Sequence, residues 1–274
     1  MHSTKNQTKH VMNMLKETSR TFYLPISFLS ADLKSTVAAA YLCMRAIDEI
    51  EDHPALGNDV KKSLLTSVSQ NLAGDFDANQ YAKDLAGYES VLPEVTWKLA
   101  DWIDYCPEKV RRKVQDSTSE MAFGMAKWAE RNWRVDTKED LDEYTYYVAG
   151  LVGVMLSDLW ESYGHEKTDR EKSIAFGRGL QLVNILRNQQ EDAERGVSYV
   201  PNGWMRDDLF TYADENLSRA KDYVHDIQDK RIKMFCKIPY ALAERTLAAM
   251  KKGQEKMSRT EVEDVVAALE KETL

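Results

Sequence analysis

Glycine and proline are scarce in this sequence, which has 12 and 6 of them in 274 residues. Those are about 4% and 2% of the chain, against usual fractions near 7% and 5%. Sandwiches and barrels need frequent turns, so the scarcity excludes them. Cysteine is rarer still. Cys43, Cys106 and Cys236 are too few and too scattered for a disulfide framework, and no CxxC or Cys/His zinc spacing occurs. A reducing compartment fits, so a cytoplasmic protein is expected. Basic charge is not in excess either: 37 Lys+Arg against 45 Asp+Glu give a formal −8. Nucleic-acid binding needs a basic footprint, so no such partner is expected. The longest apolar stretch, 148–156, stops at Ser157 and Asp158. That is far short of the roughly 20 residues that span a bilayer. The N-terminus has no apolar core of a signal peptide.

What is present is helical spacing of apolar residues. Residues 32–52, 108–130, 140–160 and 169–192 read as helices, and strand-like alternation is nearly absent. Pro107 suits the first turn of the second of these, where a missing N–H costs little. Thr168-Asp169-Arg170-Glu171 resembles a capping box at the start of the fourth. Pro239 reads as punctuation between smaller helices over 207–235 and 240–272. No linker composition appears. A single all-α domain over 1–274 is therefore expected.

Two polar faces stand out. On a helix turning about 100° per residue, Tyr41, Arg45, Asp48 and Asp52 share one side. Gln181, Asn184, Asn188 and Asp192 do the same farther along. Each set is embedded in apolar helix. One DxxxD pair is usually only a solvated face. Two such strips suggest a hard-cation site, since carboxylates one turn apart can share Mg²⁺ while substrate phosphates complete its shell. Arg45 would counter phosphate charge, and Asn184 could offer an amide oxygen.

These residues resemble the squalene/phytoene synthase family, whose members join prenyl diphosphates head to head. The likeness runs from about Ser19 to Arg245. It rests on Ser19-Arg20-Thr21-Phe22, on the 41–52 and 181–192 segments, on Tyr144 with Val148-Ala149-Gly150 and Gly153, and on Arg195-Gly196 with Tyr199-Val200-Pro201. The resemblance implies an all-α, isoprenoid-synthase-like bundle around a central apolar cavity, a prenyl diphosphate substrate and Mg²⁺. By that resemblance Asp48, Asp52, Asn184 and Asp192 are metal-ligand candidates. Ser19, Arg20, Arg45, Gln181, Arg187, Asn188 and Tyr199 would contact the substrate's diphosphate end. Phe22, Tyr41, Tyr144, Val148 and Gly153 would line the hydrocarbon pocket. Tyr41 or Tyr144 would stabilise a cation or move a proton. Structural roles stay open beside these: close helix packing at Gly153, core at Phe22, an ion pair at Arg187, a loop anchor at Tyr199. A lipophilic product implies transient contact with a membrane surface at release.

One position departs from the family pattern. Where the second strip carries an aspartate in the family, this chain has Asn188. An amide offers an oxygen without negative charge, so cation binding there should weaken. Two successive ionisations would suffer more than one. The expected reaction is therefore hydrolysis of a prenyl diphosphate, farnesyl diphosphate to farnesol. Head-to-head condensation to squalene, dehydrosqualene or phytoene is the alternative, and a non-catalytic prenyl-lipid binder is a second one.

Overall fold

Helices form where apolar residues recur at helical spacing, and among the described residues no strand occurs. The computed structural model describes residues 2–254 with 261, 264–265 and 267–268; the side chains of 2–5 and 20 fall outside that description. The chain divides into two compact units, residues 1–26 with 30–132, and residues 27–29 with 133–274.

The first unit carries α1 (His2–Thr18), most of α2 (Arg20–Phe28), α3 (Ala31–Asp52), α4 (Asn58–Ala73), α5 (Ala78–Asp84), α6 (Glu94–Trp97), α7 (Leu99–Tyr105) and α8 (Glu108–Glu130). At its centre lies α3, packed on α1, α4, α6, α7 and α8. The reason is local: Ala38, Ala39, Ala40, Leu42, Ala46, Ile47 and Ile50 leave no solvent-facing apolar surface. A helix apolar over most of its circumference must be enclosed. Thr96 pins α6 to it by donating its hydroxyl to the Ala46 carbonyl at 3.0 Å. Small residues let α4 and α8 approach closely. Ser69 and Ser119 donate hydroxyls to each other's carbonyls at 2.9 and 2.7 Å. Both would otherwise be costly buried polar groups. The expected 108–130 helix matches α8, with Pro107 one position earlier, as its N-cap.

The second unit carries α9 (Lys138–Thr145), a π-helical turn at Tyr146–Gly150, α10 (Leu151–Ser162), α11 (Arg170–Glu194), α12 (Arg206–Asp226) and α13 (Lys230–Lys251). Thr137 and Asp140 form a reciprocal capping box at α9. Asp169 alone caps α11, accepting from the Lys172 N–H at 2.8 Å. The expected 140–160 helix is interrupted by the π turn, where α11 crosses. At Gly177 an added Cβ would stand 2.1 Å from the Ala149 carbonyl oxygen, and at Gly153 the same distance from that of Ser173. Only glycine allows backbones this close.

The division expected at Pro239 is wrong. Pro239 lies buried inside α13, and the chain breaks at residues 227–229 instead. There the Asp229 carboxylate accepts from the Arg231 and Ile232 N–H groups, and Glu166 accepts from the Gln228 N–H at 2.6 Å. Those caps satisfy orphan donors at the new helix start. Burial of the proline ring offsets its missing hydrogen bond, a loss of about 3 kcal/mol in an exposed helix. Most of the expected helix beyond residue 254 lies outside the described residues. All three cysteines are free and buried.

Candidate active site

The first polar face is assembled by α1, α2 and α3. Between α1 and α2, Ser19 is buried, and its hydroxyl caps α2 by accepting from the Phe22 N–H at 2.9 Å. Arg20 opens α2, and its side chain is outside the described residues. Phe22 faces Tyr41 with ring centroids 6.0 Å apart and planes at 41°. The Tyr41 hydroxyl donates to the Thr18 carbonyl at 3.3 Å. Burial pushes its pKa up, with Ser19 and Arg45 pulling partly against that. Thus Tyr41, Arg45 and Asp48 line up on α3 as their spacing suggested, with Asp52 one turn on, and Ser19 and Phe22, named by the resemblance alone, lie beside Tyr41.

Arg45 forks between two acids of its own helix. Its Nη1 meets Asp48 Oδ2 at 2.5 Å, and its Nη2 meets Glu49 Oε1 at 2.5 Å. Its Nε is buried with no hydrogen-bond partner. A buried donor without an acceptor is costly, and a phosphate oxygen would satisfy it.

Asp48, Glu51 and Asp52 each offer an oxygen within 4.8 Å of the other two. Burial first, and then the Asp52 charge, push the Asp48 pKa from 3.8 up to about 7 against the pull of Arg45. Although 34% of the Asp48 side chain stays accessible, the protein around it still opposes its charge. A divalent cation relieves this kind of crowding, so the three carboxylates fit such a group. Glu51 was missing from the spacing argument. Three residues after Asp48 it falls about 60° from Asp48 and about 90° off the axis of that face. It is buried nonetheless, with 6% exposed. Charge at a position that should be apolar was the available signal.

The second unit holds the remaining candidates. Tyr144, in the last turn of α9, stacks on Tyr199 from the loop after α11, with centroids 4.6 Å apart and planes at 17°. Val148 lies in the π turn. Gly153 meets α11 backbone, so its lack of a side chain serves the helix crossing. Arg178, which the spacing argument did not single out, supports this turn. It donates to the Thr145 hydroxyl and the Asp142 carbonyl, both at 3.1 Å. Tyr212 donates to Asp142 Oδ1. Burial and that bond raise the Tyr212 pKa to about 12.

On α11 the Gln181, Asn184, Asn188 and Asp192 face exists, but its groups are engaged with near neighbours. Asn184 Nδ2 donates to Gln181 Oε1 at 3.4 Å. Arg187 Nε donates to Asn188 Oδ1 at 3.2 Å. Buried Asp192 takes Arg195 Nη2 on Oδ1 at 2.5 Å.

The sequence pattern that defines squalene/phytoene synthases matches residues 15–209. The chain belongs to the squalene/phytoene synthase family. It is 29% identical over 266 residues to the squalene synthase of Solanum lycopersicum. That match covers 86% of this chain and 62% of the relative, so the chain spans less than two thirds of its relative's length. The squalene synthase of Dictyostelium discoideum is 30% identical over 268 residues, with the same 86% and 62% coverage. In fold, the chain is similar to a dehydrosqualene synthase solved with a ligand, at TM-score 0.63 and 20% identity, covering 98% of this chain and 97% of that one. The fold is thus the all-α, isoprenoid-synthase-like one. Both segments that carry the polar faces lie inside the family match. No helix among the described residues is long and apolar enough to cross a membrane.

Proposed function

We propose that the chain joins two prenyl diphosphates head to head in a divalent-cation-dependent reaction, with farnesyl diphosphate as the first substrate to test. The observation that carries this reading is the Asp48, Glu51 and Asp52 cluster beside Arg45 and Tyr41, in a chain similar to the squalene synthases of Solanum lycopersicum and Dictyostelium discoideum. Mg²⁺, when bound by those three carboxylates, supplies positive charge that stabilises the departing diphosphate. Arg45 adds a fixed guanidinium beside that cluster. Tyr41 and Phe22 present ring faces that stabilise a developing allylic cation. Tyr41, held protonated by its raised pKa, donates a hydrogen bond and does not act as a base at neutral pH. Within the second unit, Tyr144 and Tyr199 form a stacked aromatic pair suited to apolar contact.

A second reading, hydrolysis to the prenyl alcohol, is favoured by Asn188. Less anionic charge on that strip weakens the second ionisation that condensation needs. The squalene synthase relatives favour condensation, reversing the order of preference that Asn188 alone suggests. Incubation with Mg²⁺ and farnesyl diphosphate, with and without NADPH, followed by mass spectrometry of the lipids, separates the two. Squalene, dehydrosqualene or a cyclopropyl diphosphate supports condensation. Farnesol as the main product overturns it. Recovery of unchanged substrate, bound but not converted, would leave only a lipid-binding role.

A further inference from the structure

Tyr144 stands near the end of a helix that is too short to hold it alone. The eight residues of α9 run directly into the π turn. Isolated helices below about 12–15 residues are marginal in water, and a π turn is an uncommon backbone form. Tyr144 is nonetheless buried, with its ring stacked on Tyr199. Contacts from outside α9 must fix its last turn.

Arg178 supplies them from α11. Its Nε donates to the Thr145 hydroxyl and its Nη2 to the Asp142 carbonyl, both at 3.1 Å. A guanidinium is flat and rigid, so this fork holds residues 142 and 145 at a set separation. Those two residues bracket Tyr144. Thr145 completes the tie, since its buried hydroxyl donates to the Leu141 carbonyl at 2.7 Å. The Asp142 carboxylate, 3.8 Å from Nε, answers the charge of a side chain only 15% exposed. Gly177 makes the reach possible. By letting α11 run against the π turn, it brings the next residue onto α9.

The same aspartate ties down the segment that bears the other ring. Asp142 Oδ1 accepts from Tyr212, and Trp204 meets the Tyr212 ring edge-on with centroids 5.7 Å apart. Trp204 belongs to the loop that carries Tyr199. Asn202 of that loop binds Asp136 twice, N–H to carbonyl at 2.9 Å and Nδ2 to Oδ1 at 3.1 Å. Loop and helix converge on one stacked pair, and Arg178 holds the helix side of it.

We infer that Arg178 is a positioning residue, acting on the prenyl diphosphate reaction through Tyr144 by holding that ring against Tyr199. This deepens the proposed reading and rests on it for the reaction affected. An aromatic face helps most where a cation develops. A displaced ring therefore costs transition-state stabilisation, which lowers kcat more than it raises KM.

Arg178→Lys is the test, because lysine keeps the charge and loses the fork. On the full chain with Mg²⁺ and farnesyl diphosphate, kcat and KM are measured by release of diphosphate, whichever lipid forms. Arg178→Lys should lower kcat about tenfold, as loss of one charge-assisted hydrogen bond would. KM should stay within about twofold of the wild type. In a Tyr199→Ala background the same change should cost less than about twofold, because the stack is already gone. A residue that only stabilises the fold would lower the melting temperature and leave kcat unchanged, or would cost the same factor in both backgrounds. Either result overturns the assignment. A crystal structure of Arg178→Lys gives a reading free of activity. The Tyr144 and Tyr199 ring centroids should stand farther apart than the 4.6 Å found here, and an unmoved stack overturns the assignment. Parted rings in a chain that releases no diphosphate would remove the proposed reaction and leave Arg178 as the holder of the stack.

Discussion

The α-carbon of Gly177 sits so near Ala149 that a Cβ there would stand 2.1 Å from the Ala149 carbonyl oxygen. This places α11 directly against the π-helical turn. Single-turn π segments frequently mark functional sites, and here the turn follows Tyr144 and contains Val148. The contact fixes the turn against the helix that bears the second polar face.

Gly177→Ala should therefore destabilise the chain by about 1–3 kcal/mol, the usual range for overpacking, or shift the turn. Gly57 is the control. It has φ −67° and nothing within 4 Å of an added Cβ, so Gly57→Ala should lose only the N-cap preference of glycine over alanine at α4, at most about 1 kcal/mol, and melt above Gly177→Ala. Equal melting temperatures for both variants would refute the tight contact.

Asp48→Ala and Asp52→Ala should abolish turnover while leaving far-ultraviolet circular dichroism intact. Glu51→Gln should raise the Mg²⁺ concentration needed for half-maximal rate, because it removes a third oxygen from the same cluster. If Glu51→Gln behaves as wild type across a Mg²⁺ titration, the carboxyl is a structural group only.

The pH dependence follows from Asp48, whose pKa rises from 3.8 to about 7. The fold binds this proton more tightly than the unfolded chain does. The contribution to stability is then fully present below about pH 4 and is lost as pH climbs through about 7. A divalent cation replaces the proton, so its stabilising effect should grow over the same window. Thermal melts in EDTA and in Mg²⁺ at pH 5 and pH 8 would check this. Mg²⁺ should raise the melting temperature more at pH 8, and Asp48→Asn should flatten that difference.

Ser19→Ala removes the hydroxyl that caps α2. A loss of about 1 kcal/mol is expected from the missing cap. Because Ser19 also lies beside Tyr41, the turnover rate should fall beyond what lost stability explains. Restoration by Ser19→Thr in both assays would tie the effect to the hydroxyl.

Tyr199→Phe should preserve the stack on Tyr144, while Tyr199→Ala should lose it. Such pairs contribute about 0.5–1.5 kcal/mol beyond area burial. A rate loss in Tyr199→Ala alone identifies the ring as the working part. Equal loss in Tyr199→Phe assigns the work to the hydroxyl.

Helical spacing is a local property of the chain, and so the sequence by itself determined the helical class, the α3 and α8 boundaries and the alignment of Tyr41, Arg45, Asp48 and Asp52. It also determined the missing charge at Asn188. Relations between segments are not local. Only tertiary structure turned buried Glu51 into a third carboxylate beside Asp48 and Asp52, brought Tyr199 onto Tyr144, and interrupted 140–160 with a π turn against Gly177. The same holds at the end of α12. Pro239 is the stronger break signal in sequence, yet the caps supplied by Asp229 and Glu166 moved the break to residues 227–229. Spacing shows which side of a helix a residue occupies. Packing decides what stands opposite it and which of its oxygens remain free.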